Sequence, residues 1–297
     1  VQHLGRLVET QTPDGLRLHG FWQQARDATI SMATPSVSRP LGWIIVHGVA
    51  GNFYNSSMLA SIAESLLERG HDTCRINTRG RDPVAYVATP GGNTRLGAAY
   101  EMISDCLPDI EAWIDFLRRK GYERIGLIGH SLGAVKAAHF ARSQGSIGIH
   151  CLICISPPRL APAILAKDSH YGLSYAEDLR TAEEKVAMGR PEALLTIRYP
   201  QPMLISAATF LDKYGRSDQY DYVQMADQIS IPCLWCFGDQ EVRGDRASFK
   251  NCDQALEAKV EGQANHSLAI ISNADHGYTQ ARAELNTVIC RWISEKI

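Results

Sequence analysis

The chain has 297 residues, 45% of them hydrophobic and 21% charged, with a formal net charge of -2. This is the composition of a globular protein with a sizeable core, and the balanced charges, with no long basic run, argue against a nucleic-acid partner. No apolar run approaches the roughly 18 to 20 residues of a membrane span, and the first dozen residues lack the charged-then-apolar order of a signal peptide. Eight cysteines at this length do not make a disulfide framework, so a reduced, cytoplasmic protein is expected.

Strand-like and helix-like segments alternate for most of the chain, which predicts a mostly parallel sheet covered on both faces. Residues 4–11 and 16–24 read as a hairpin around the turn Pro13-Asp14-Gly15, and Asp27 to Pro40 as a surface loop. Gly42 to Val46 is a buried strand ending in His47-Gly48, followed by a helix over 56–69 and a strand over 72–77. Residues 80–97, rich in Gly, Pro and Thr, read as a loop. A helix from Glu101 to Lys120 is interrupted by Pro108, which predicts a kink or a restart there. Arg124 to Gly129 is a strand, Leu132 to Gln144 a helix stopped at Gly145, and 150–156 another strand.

Residues 157–230 break the alternation with helical pieces near 176–188 and 206–214, and read as a cap inserted between core segments 1–156 and 231–297. The core pattern resumes with a strand at 232–237, a helix at 246–260, a strand at 267–272 and a last helix at 279–295. Two C-x-x-C pairs, Cys151/Cys154 and Cys233/Cys236, have a zinc-like spacing. Each lies in an apolar, strand-like run, where positions i and i+3 face opposite ways, so they read as small core residues rather than metal ligands.

The strongest local signal is Gly129-His130-Ser131-Leu132-Gly133, a G-x-S-x-G between a predicted strand and a predicted helix. The sharp turn leaves no room for side chains at its flanks, and it holds the serine hydroxyl above the sheet edge. Ser131 is therefore the candidate nucleophile. A hydroxyl needs a base to take its proton, and such a turn is followed in the chain by an acid and then a histidine. His276, directly after the last predicted strand, is the candidate base. His139 and His150 lie in or beside core elements, His19 and His71 come too early, and His266 precedes the last strand. The acid belongs after the strand at 232–237, where Asp239 and Glu241 both stand; either could fix the imidazole tautomer and balance its charge. The backbone N–H groups of Leu132 and of Val49, in the loop His47-Gly48-Val49-Ala50-Gly51-Asn52, are the candidate oxyanion donors.

Together, His47-Gly48-Val49-Ala50-Gly51, Gly129-His130-Ser131-Leu132-Gly133, Gly238-Asp239-Gln240-Glu241 and Asp275-His276-Gly277 resemble the α/β-hydrolase superfamily over nearly the whole chain outside 157–230. Asn77-Thr78-Arg79-Gly80 is similar to the D-x-R-G-x-G turn of many members, with Asn for Asp and Arg81 for the small residue. The HG…GN and GHSLGA stretches are also similar to fungal siderophore esterases. The resemblance implies an α/β-hydrolase fold with an eight-stranded sheet whose second strand is antiparallel, and no cofactor. Because many relatives read G-x-x-D at the acid loop, it also favours Glu241 as the acid, with Asp239 the alternative.

Carboxylic-ester hydrolysis, with lactones and thioesters within reach, is the leading activity on a small-molecule substrate. C–C bond hydrolysis of a diketone type and a non-catalytic ligand receptor are the alternatives, and a homo-oligomer is left open. Six of the eleven tyrosines fall in 157–230. Tyr171, Tyr175 and Tyr214 are candidate substrate contacts, against the plainer reading that they pack the cap.

Overall fold

The computed structural model describes residues 4–25, 41–89, 92–144, 148–168, 171–199 and 201–297. The loop expected at Asp27 to Pro40 and the helix stop at Gly145 lie outside the described residues. In chain order the elements begin with β1 (Gly5–Gln11), β2 (Arg17–Gln23), β3 (Gly42–Val46), α1 (Ser57–Leu67), β4 (Asp72–Ile76), β5 (Ala85–Thr89) and β6 (Gly92–Leu96). They continue with α2 (Cys106–Arg119), β7 (Ile125–His130), α3 (Leu132–Gln144), β8 (Cys151–Ile155), α4 (Pro162–Leu165), α5 (Gly172–Ala187), β9 (Leu194–Ile197) and β10 (Met203–Ser206). The chain closes with α6 (Ala207–Tyr214), α7 (Tyr222–Ala226), β11 (Cys233–Gly238), α8 (Asp239–Val242), α9 (Cys252–Lys259), β12 (His266–Ile271) and α10 (Arg282–Lys296).

Eight strands form one sheet in the order β1-β2-β4-β3-β7-β8-β11-β12. β2 runs antiparallel to both β1 and β4, and β4, β3, β7, β8, β11 and β12 run parallel to one another. The eight-stranded sheet and its antiparallel second strand are as the resemblance implies. The central strands β3, β8 and β11 are buried at every position, as expected of parallel strands covered on both faces. One apolar layer, with Trp113, Leu127, Phe140 and Trp235, lies on one face of the sheet; the other, with Trp43, Ile128, Ile153 and Leu285, lies on the opposite face. Each C-x-x-C pair straddles the sheet: Cys154 and Cys233 belong to the first layer, Cys151 and Cys236 to the second.

Three details differ from the sequence reading. The expected loop at 80–97 contains the hairpin β5–β6, whose Tyr86, Val87 and Thr89 suit extended backbone. Pro108 neither kinks nor interrupts α2. It sits in the first turn, after a short 3-10 turn at Ile103–Asp105, where its missing N–H deprives the helix of nothing. Residues 157–230, expected to form a helical cap, carry besides their helices the antiparallel pair β9–β10. Near the end of that stretch α7 packs on α3 and α9, and the Tyr222 ring stacks on Trp235 with centroids 5.4 Å apart. No helix among the described residues is long and apolar enough to cross a membrane.

Candidate active site

The site lies at the carboxyl ends of β3, β7, β8, β11 and β12, where an open parallel sheet leaves loops free to converge. Between β7 and α3 the chain turns so sharply that Ser131 is held at φ 56°, a left-handed conformation that a non-glycine residue rarely adopts. The turn closes only because its flanks are glycines. A Cβ on Gly129 would lie 2.2 Å from the carbonyl oxygen of Gly133, and one on Gly133 would lie 2.4 Å from that of His47. The Ser131 N–H donates to the Ile155 carbonyl at 2.9 Å, which ties the turn to β8.

The Ser131 hydroxyl lies 3.0 Å from Nε2 of His276, and Nδ1 of His276 lies 2.6 Å from Oε1 of Glu241. With Nδ1–H donating to the carboxylate, Nε2 is the acceptor for the serine proton. Glu241 is buried and is held by two more donors: the Gly238 N–H reaches Oε2 at 3.0 Å, and the Ser156 hydroxyl donates to the same oxygen. Tyr278 completes the support, its hydroxyl 2.8 Å from that of Ser156. Asp239 is occupied elsewhere: its Oδ1 accepts the Ala274 N–H at 3.1 Å, and Oδ2 pairs with Arg243. Of the two carboxylates the sequence left open, Glu241 therefore meets the imidazole and Asp239 shapes the loop that carries it.

Two aromatic side chains flank His276. The Phe249 ring is 5.1 Å away between centroids, and the His130 ring 4.8 Å. Burial, and then the neighbouring His276, push His130 down to about 4, so its ring is neutral.

Leu132 is the first residue of α3, and the first N–H groups of a helix have no acceptor within it. Val49 lies in the loop after β3 and lines the same cavity as Ser131. That loop approaches the serine closely: a Cβ on Gly48 would come within 3.1 Å of the Ser131 Cβ. It is braced from behind by His47 and Thr78 of the sequence motifs and by charged groups the sequence reading passed over. The buried His47 ring contacts the Gly48 carbonyl through Nδ1 at 2.8 Å and accepts the Thr78 N–H at Nε2 at 3.3 Å. The Lys136 ammonium donates to the Thr78 hydroxyl at 3.2 Å and to Oε1 of Glu101 at 2.5 Å. Lys213, from α6, reaches the other Glu101 oxygen at 3.4 Å and the Ala98 carbonyl at 3.1 Å.

Lys136, Glu101 and Lys213 are all buried. Burial raises the Glu101 carboxyl, but the two ammonium groups outweigh it and hold the group at about 2. Burial, and then Lys136, push His47 down to about 4. Gly80 of the Asn77-Thr78-Arg79-Gly80 turn leaves room for this carboxylate, since a Cβ there would strike it at 2.1 Å. The substituted Asn77 accepts the Phe53 N–H at 2.9 Å.

A cavity of about 430 Å³ opens beside Ser131. From residues 157–230, Gln201 lines it. Tyr175 and Tyr214 do not reach it: both are buried, the Tyr175 hydroxyl donates to the Tyr214 carbonyl at 2.9 Å, and their rings pack with Phe210. Tyr171 packs against Tyr199, also away from the cavity. Among the described residues no group of three or more His, Cys, Asp or Glu side chains could hold a metal ion.

The alpha/beta hydrolase fold family matches residues 44–222, more than half of the chain. The chain belongs to the alpha/beta hydrolase fold family. Among solved structures, this α/β-hydrolase chain is similar to Est1E from Butyrivibrio proteoclasticus, with 19% identity over 98% of each chain and a TM-score of 0.68. It is similar to the Pyrococcus furiosus esterase Pf2001, with 16% identity over 99% of this chain and 92% of the other and a TM-score of 0.61. It is also similar to XC6422 from Xanthomonas campestris, a serine hydrolase described as lacking a lid, with 13% identity over 99% and 96% and a TM-score of 0.56. At these identities the likeness is one of fold. No curated protein matches the sequence.

Proposed function

We propose that the protein is a serine hydrolase that cleaves a carboxylic ester through an acyl-enzyme on Ser131. The observation that carries this reading is the unbroken line from Ser131 Oγ to His276 at 3.0 Å and from His276 to Glu241 at 2.6 Å. His276 takes the serine proton as the hydroxyl oxygen attacks the ester carbonyl. The carbonyl oxygen then becomes an anion, and the N–H groups of Val49 and Leu132 are the donors for it. Collapse of the tetrahedral intermediate breaks the bond to the alcohol oxygen, which takes its proton from His276. Water, deprotonated by the same imidazole, attacks the acyl-serine and releases the acid. Glu241 remains ionised throughout and balances the imidazolium. An ester is favoured over a C–C substrate because Est1E has been solved with ferulic acid bound and Pf2001 is named an esterase.

The test is a fluorophosphonate probe followed by a panel of p-nitrophenyl esters and an aryl diketone. Covalent labelling of Ser131 and ester turnover, both lost in Ser131→Ala, are expected. Labelling of another serine, or turnover of the diketone alone, overturns the reading.

A further inference from the structure

The cavity beside Ser131 has a mixed lining, with Val49, Met58 and Leu59 among its apolar residues, and a single charged side chain borders it. Its lining side chains include Asn55, Ser57, Gln201 and Thr279, and the three histidines His47, His130 and His276. Among the described residues no aspartate, glutamate or lysine lines it, so its fixed charge is the guanidinium of Arg282. Arg282 opens α10 and has no carboxylate within ion-pair distance among the described residues, and its Nε is buried without an acceptor. Most of the partly buried arginines elsewhere are paired: Arg79 with Asp109, Arg159 with Asp221, Arg81 with Asp82. An arginine left unpaired at the mouth of a site, with its donors fixed in a planar fork, is suited to a carboxylate that arrives with the substrate.

We propose that Arg282 is a specificity-determining residue and that the substrate is a small ester carrying a carboxylate group. This inference rests on the ester-hydrolase reading above and adds the charge of the substrate to it. Asn55, Ser57 and Thr279 supply hydrogen-bonding groups around the same space.

The experiment compares matched ester pairs on the wild type, Arg282→Gln and Arg282→Lys. Mono-p-nitrophenyl glutarate is set against p-nitrophenyl valerate for a carboxylate on the acyl side, and 4-acetoxybenzoate against its methyl ester for one on the alcohol side. In at least one pair the wild type should prefer the carboxylate member by roughly 10- to 100-fold in kcat/KM, the worth of a charge-assisted contact. That ratio should collapse towards unity in Arg282→Gln, survive in part in Arg282→Lys, and shrink in the wild type as salt is raised. Neutral members preferred or equal in both pairs, or a ratio unchanged in Arg282→Gln, overturns the proposal.

A separate arm distinguishes failure of this proposal from failure of the ester reading. Glutarate and benzoate should slow fluorophosphonate labelling of Ser131 more in the wild type than in Arg282→Gln, whether or not any ester is turned over. Equal protection of the two proteins overturns the role of Arg282.

Discussion

His130 lies with its Nε2 2.9 Å from the main-chain carbonyl of His276, so the residue just before the candidate nucleophile holds the loop of the candidate base. Nε2–H donates and the carbonyl accepts, which fixes the His130 tautomer. His130→Phe keeps the ring and loses the bond. A misplacement of about 1 Å costs about 10²-fold, so kcat should fall by roughly 10- to 100-fold with little change in KM. Steady-state kinetics on any turned-over ester checks this. An unchanged kcat would mean that the loop holds itself.

The two carboxylates of the β11 loop should separate by mutation. Glu241→Gln removes the charge that faces His276 and should lower kcat by roughly 10² to 10⁴. Asp239→Asn keeps an oxygen for the Ala274 N–H and should cost far less. The reverse ranking would hand the acid's role to Asp239.

Glu101 sits between two buried ammonium groups. Glu101→Gln leaves Lys136 and Lys213 without their counter-charge, and breaking a buried pair typically costs about 3–5 kcal/mol. A fall in denaturation midpoint is the expected readout. Replacing Lys213 by Met in the same protein should recover part of the loss, since one uncompensated charge is then removed.

Stability should fall on acidification below about pH 6.5. His47 and His130 titrate near 4 in the folded protein and at 6.5 when unfolded, so between these values the unfolded chain binds more protons and gains on the native state. Glu101, held at about 2, adds a further loss as pH drops below its unfolded value of 4.5. Thermal melts across pH 7 to 4 give the readout. His130→Phe should flatten the upper part of the decline, and a wild-type melting temperature independent of pH over this range would overturn the assignment.

Sequence by itself determined the parts of this protein that local chemistry encodes. The alternation of buried strands and helices predicted the parallel sheet, and the glycines around Ser131 predicted the turn, because no other residue fits where a Cβ would meet backbone at 2.2 Å. His276 could be picked out because its place after the last strand is a matter of chain order. What only the tertiary structure decided was which groups meet across the chain. Asp239 and Glu241 are two residues apart and alike in charge, and one turn of helix aims them differently: Glu241 at His276, Asp239 at the Ala274 N–H. The tyrosines of residues 157–230 could be read in sequence as ligand contacts or, more plainly, as packing, because Tyr suits both a pocket and a core. Packing alone turned Tyr175 and Tyr214 inward, away from the cavity. Lys136, Glu101 and Lys213 gave no signal at all, since they lie far apart in the chain and charged residues are ordinarily read as surface. Burial joined them, because each ammonium could leave water only where a carboxylate was already waiting.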